Sequence, residues 1–84
     1  MISTYKLLNK CDKFTFTTIQ TKRRNYCRIA LTTVHRRISL NEDLLKEYDT
    51  FFKSTNGIKR GVGWDFDTKE NAESAYTWAI LKWG

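Results

Sequence analysis

Basic side chains interleaved with an aromatic ring are the strongest chemical signal in this chain. Lys22-Arg23-Arg24 is followed by Tyr26 and Arg28, and Arg36-Arg37 lies a little further on. Guanidinium forks match phosphate oxygens and a tyrosine ring stacks on an unpaired base, so the pattern suits a nucleic-acid contact. Phe14 or Phe16 could add a second ring from a neighbouring strand. A further patch, Lys59-Arg60-Gly61-Val62-Gly63-Trp64, sets two cations before two glycines that let backbone approach a ligand closely. It lacks the lysine and hydroxyl residue that end a nucleotide phosphate loop, and a turn leading into a strand is its simpler reading. The candidate nucleic-acid-binding set is therefore Lys22, Arg23, Arg24, Tyr26, Arg28, Arg36, Arg37, Lys59 and Arg60. The competing reading of Lys22-Arg23-Arg24 is a hairpin tip charged against edge pairing.

Other chemistry is poorly supplied. Asp65 and Asp67 with Glu70 could in principle hold Mg²⁺, but Asp67 and Glu70 also read as helix-start residues, and Asp65 is expected to be exposed. His35 is the single histidine and reads as a surface residue beside Arg36. No nucleophile–base–orienter set can be assembled around it. Cys11 and Cys27 lack metal-ligand spacing, so no metal and no cofactor are expected, and both thiols should be reduced. The chain does not read as an enzyme.

The elements that must position these residues fit in 84 residues and one domain spanning 1–84. Such a small core needs large side chains, and three Trp, four Tyr and five Phe provide them. The net charge of +6 is uneven. Residues 1–38 hold nine basic side chains against Asp12 alone, whereas residues 39–84 hold six basic and eight acidic ones. This asymmetry suggests a polyanion as partner, RNA foremost. There is no long apolar run and no leader-like start, which implies a cytoplasmic chain with no membrane partner.

Ser3–Leu8 and Lys13–Gln20 read as strands, and residues 21–25 as a hairpin connection. Tyr26–Val34 alternates, with Cys27, Ile29 and Leu31 on one face and Tyr26 and Arg28 on the other. Leu44, Leu45, Tyr48, Phe51 and Phe52 then form a helical stripe. Ser39 with Glu42 makes a capping box at its start, Asn41 competes as N-cap, and Asn56-Gly57 ends the helix. Val62–Phe66 is a short strand, and Asp67 with Glu70 opens a last helix whose stripe is Ala72, Ala75, Tyr76, Ala79, Ile80 and Trp83. Trp78 falls off that stripe, where an exposed indole would suit a partner contact. The order β-β-β-α-β-α predicts an α+β domain: a small antiparallel sheet with two helices packed on one face and the other face open.

The proline-free length, the basic hairpin and the run Gly63–Ala72 leading into an aromatic helix resemble small accessory proteins of tailed phages, the class of host-takeover and anti-defence factors. Within that class the chain is similar in size and charge to the toxin-inhibiting proteins of T-even phages. That resemblance covers the chain as a whole and transfers no site residue. It implies an RNA-binding protein that inhibits a host RNase toxin or defence factor together with RNA. The alternative is a direct protein–protein inhibitor occupying an acidic groove on a host protein without RNA. Open sheet edges and the aromatic excess also make a homodimer a candidate state.

Overall fold

The structure, a computed structural model, describes residues 4–38 and 41–83. Its elements run β1 (Thr4–Lys10), β2 (Phe14–Gln20), β3 (Asn25–Leu31), α1 (Thr33–Ile38), α2 (Glu42–Ser54), β4 (Ile58–Arg60), β5 (Gly63–Phe66) and α3 (Lys69–Trp83). All strands pair antiparallel in the order β1-β2-β3-β5-β4. The fold is thus the expected α+β domain, with one more strand and one more helix than the sequence reading placed. Among the described residues no helix is long and apolar enough to cross a membrane.

Each departure has a local cause. β3 stops at Leu31, short of Val34, because Thr32 turns from strand former into helix cap. Its hydroxyl accepts from the His35 amide at 3.2 Å and donates to the Asp12 carbonyl at 2.7 Å, while its own carbonyl accepts from the Arg36 amide. Side-chain capping outcompetes β-propensity there, and α1 begins. Arg36 and Arg37 therefore sit on a short helix and not at a strand end.

Asn41 is the N-cap of α2, its side chain accepting from the Asp43 amide at 2.9 Å. Ser39, the rival start, lies outside the described residues, as does Ser3. At the other end Asn56 takes the left-handed conformation, φ 72°, and the Gly57 amide returns to the Phe52 carbonyl at 2.8 Å. Gly57 is required by space: a Cβ there would meet that carbonyl oxygen and the Phe66 ring, each at 2.8 Å.

The stretch read as a turn before β5 holds a strand of its own. β4 and β5 form a hairpin whose two loop residues are Gly61 and Val62, with Gly61 at φ 57° as a primed turn demands. α3 starts one residue later than expected. Thr68 caps it, accepting from the Asn71 amide at 3.2 Å, which leaves Asp67 for another role.

The helices cover one sheet face. Phe14, Phe16, Cys27, Ile29, Leu31, Trp64 and Phe66 point from the strands into a core shared with Tyr48 and Phe52 of α2 and Ala72, Ala75, Tyr76 and Ala79 of α3. Ring contacts dominate this layer: Phe52 and Trp64 lie 4.5 Å apart centroid to centroid, Tyr48 and Trp83 4.7 Å, and Phe16 stacks on Tyr76 at 5.3 Å. Phe14 and Phe16 are therefore core residues and not a ligand platform. The alanines of α3 let it lie close to the sheet. β1 carries an extra residue, Leu8, between register positions Leu7 and Asn9, and Leu8 packs against the same core.

Candidate nucleic-acid interface

On the sheet face away from the helices the register sets side chains in three rows. Nearest the β2–β3 turn lie Tyr5, Ile19 and Tyr26, adjacent across β1, β2 and β3. The middle row is Leu7, Thr17, Arg28, Asp65 and Ile58. The third is Lys10, Thr15, Ala30, Gly63 and Arg60. Ile19 is 3% exposed although it belongs to this face, whereas Tyr5 is 67% exposed. The strand residues of the face hold three cations, Lys10, Arg28 and Arg60, against one carboxylate, Asp65.

That carboxylate is enclosed. The sequence expectation of an exposed Asp65 is wrong: it does face away from Trp64, but it is 3% exposed. Arg28 stands directly opposite across the strand pair and its Nη1 donates to Oδ1 at 2.8 Å. Arg60 reaches Oδ2 through Nε at 3.3 Å, and Arg28 Nη2 donates to the Arg60 carbonyl at 2.6 Å. The triad neutralises one of its two positive charges and ties both guanidiniums to the same carboxylate. Arg28 is thus a tethered cation and not a free one.

The hairpin tip is built by Thr21. Its hydroxyl accepts from the Arg23 and Arg24 amides at 3.3 and 3.1 Å and donates to the Arg24 carbonyl at 2.9 Å, a side-chain-closed turn. Lys22 and Arg23 project from it exposed, and among the described residues neither has a carboxylate partner. Arg24 does: it lies 3.4 Å from Asp67 and covers the Tyr26 ring at 4.3 Å. Asp67 is accordingly a partner of the hairpin rather than a helix cap, and one face of Tyr26 is taken by a guanidinium.

The remaining cations lie elsewhere. β3 separates the hairpin tip from the far end of the sheet by about 20 Å, at ~3.4 Å per residue. At that far end Arg60 is on the open face, but Lys59, paired with Trp64, points to the helical side. There Lys59 and Arg36 share a small cavity of about 270 Å³ with Leu31, Leu45, Gly61, Val62 and Trp64. Arg37 is exposed on α1. The nine candidate residues thus form a tip, a tethered centre and a remote end, not one continuous patch. Tyr5, Leu7 and Lys10 were missed; the i, i+2 spacing of Tyr5 and Leu7 was the signal available for two of them.

His35 is not a plain surface residue. It is half-buried, Nε2 lies 2.9 Å from the Tyr48 hydroxyl, and its ring meets the edge of Phe14. Burial, aided by the positive charge of Lys13, pushes its pKa down. Cys27 is buried in the core, where desolvation raises its thiol pKa, and Cys11 is half-buried and accepts from the Phe14 amide at 3.4 Å. Both cysteines are free thiols. Among the described residues no three His, Cys, Asp or Glu side chains gather as a metal site would require. Comparison with protein-family models, with curated proteins and with solved structures found no match.

Proposed function

We propose that this protein is a small non-catalytic RNA-binding module whose contact surface is the uncovered sheet face together with the β2–β3 hairpin tip. One observation carries the reading. The strand residues of the face without helices present two tyrosines and three cations, and the one carboxylate among them is enclosed by two arginines. A β-sheet with rings and guanidiniums on an open face is a recurrent way of stacking unpaired bases while holding phosphates. Tyr5 and Tyr26 are the stacking candidates, and Lys22, Arg23, Lys10 and Arg60 the phosphate contacts. The inhibition of a host RNase toxin implied by the resemblance would follow from holding RNA against the nuclease, with no bond made or broken by this chain.

The test begins with size-exclusion light scattering of the recombinant protein, reading the 260/280 nm absorbance ratio before and after RNase in high salt. Co-purifying nucleic acid that this treatment removes is the expected result, and the stripped peak gives the subunit number. Binding of a single-stranded RNA should then fall with salt at a log–log slope of about −3 for four phosphate contacts. Lys22→Glu with Arg23→Glu should shrink that slope by roughly 1.4. Tyr26→Ala should weaken binding by about 1–3 kcal/mol. A complex with a host protein that survives RNase digestion would instead place the arginines on carboxylates, and the RNA reading would be abandoned.

A further inference from the structure

The cavity at the far end of the sheet combines an indole, apolar side chains and two cations, whereas the depression that sets Phe51 beside Lys46 and Lys82 also holds Glu47. Trp64, which is 1% exposed, lines it with Leu31, Leu45 and Val62, and the exposed Arg36 and Lys59 are the charged members of the lining. Among the described residues no carboxylate lines it. Among the described residues neither Arg36 nor Lys59 forms an ion pair, although Asp49, bonded to the same indole, feels the Lys59 charge from further away. The wider depression beside it, about 700 Å³, is lined instead by Lys10, Asp12, Lys13 and threonines, and has no ring to stack upon apart from His35, which is already bonded to Tyr48.

The indole wall is fixed in place. Trp64 Nε1 donates to Asp49 at 3.1 Å, and Phe52 packs on the indole at 4.5 Å. A wall already held in its bound geometry loses little freedom when a ligand arrives. Lys59 lies over the indole, its Nζ 5.4 Å from the ring centre and donating to the Gly61 carbonyl. It is an exposed, flexible side chain held by one backbone bond, and it can swing off the ring. At about 270 Å³ the space falls below the roughly 300–1,000 Å³ of pockets that enclose drug-sized molecules. It has room for one planar ring system.

We infer that this cavity takes one unstacked base of a bound RNA, with the phosphate of that nucleotide held between Arg36 and Lys59. The inference rests on the RNA reading above and gives the remote cations, which the open face cannot use, a role in it. Lys59 leaves the Gly61 carbonyl for the phosphate, and the base enters against the indole face that the lysine uncovers. With an apolar lining and few hydrogen-bonding groups, the pocket selects for a flat ring and an adjacent negative charge rather than for a base sequence.

The probe is a twelve-nucleotide single-stranded RNA containing one 2-aminopurine, moved stepwise along the chain. Binding should quench its fluorescence strongly at one position, through contact with the indole. Arg36→Ala with Lys59→Ala should abolish that quench and weaken binding about fivefold or more, a loss the size of one stacked base. Val62→Trp, which fills the cavity from its rim, should abolish the quench while leaving the salt slope unchanged. If the RNA binds with no position-specific quench, or if both variants bind and quench like the parent, the pocket inference is overturned and the open-face reading survives. If the RNA fails to bind at low salt, both fall together. Circular dichroism of each variant confirms the fold, and the exposed Arg36–Lys59 pair keeps the test valid should Val62→Trp not fold.

Discussion

Replacing Asp65 by Asn removes the one carboxylate among the strand residues of the open face with almost no change in volume. It leaves one acceptor oxygen where there were two and turns an NH2 donor toward the guanidinium that lost its oxygen. Removing one partner of a fully buried pair costs about 3–5 kcal/mol. Here Asp65 is 3% exposed, but the Arg28 side chain is 25% exposed and that of Arg60 66%, so water relieves part of the loss. A cost of about 2–3 kcal/mol follows once the partner exposure is allowed for. For a domain of this size that lowers the melting temperature by about 10–20 °C. Thermal unfolding by circular dichroism at neutral pH measures it, with Arg28→Met and the double variant completing a cycle. The double variant should be more stable than the sum of its parts, since the only charge it leaves unpaired is Arg60, which is 66% exposed and hydrated. RNA affinity should move the opposite way, because the freed arginines add one net charge to the face and steepen the salt slope by about 0.7. A melting temperature within ~2 °C of the parent would refute the claim that this triad holds the sheet face together.

Acidification should destabilise the protein through His35. Its folded-state pKa lies below the ordinary imidazole value, so the folded chain binds fewer protons than the unfolded one. The stability it contributes is full above that ordinary value and is lost as pH falls through it toward the folded pKa. Melting between pH 7.5 and 5 should reveal the slope, and His35→Gln should flatten it. Truncating Phe52, fully buried between Phe14, Trp64 and Phe66, to Ala should cost about 3–5 kcal/mol by chemical denaturation. Asn41→Ala removes the α2 cap and should cost about 1 kcal/mol by the same measurement, a far smaller midpoint shift than Phe52→Ala. Trp78→Ser, at a position 59% exposed, should change stability by no more than about 0.5 kcal/mol.

Periodicity made the core legible before any coordinate. The alternation Cys27, Ile29, Leu31 and the stripe Ala72, Ala75, Tyr76, Ala79 are fixed by geometry within one element, and both lie where that geometry puts them. The charge asymmetry and the basic hairpin are equally local, and Lys22 and Arg23 stand exposed at its tip. What the sequence could not determine is which cations are free. Arg28 and Asp65 are 37 positions apart in sequence and are partners only because β5 pairs with β3. Arg24 and Asp67 meet for the same reason, and Lys59 faces the helices because a two-residue hairpin sets its register against Trp64. Thr32 followed the same logic at shorter range, since its β-propensity yielded once the Asp12 carbonyl lay within reach of its hydroxyl. Residue type and spacing set which groups a chain carries and which face of its own element each occupies. Whether a charge remains available to a partner depends on what the sheet brings opposite it, and strand pairing over long separations is decided by the burial of the whole core.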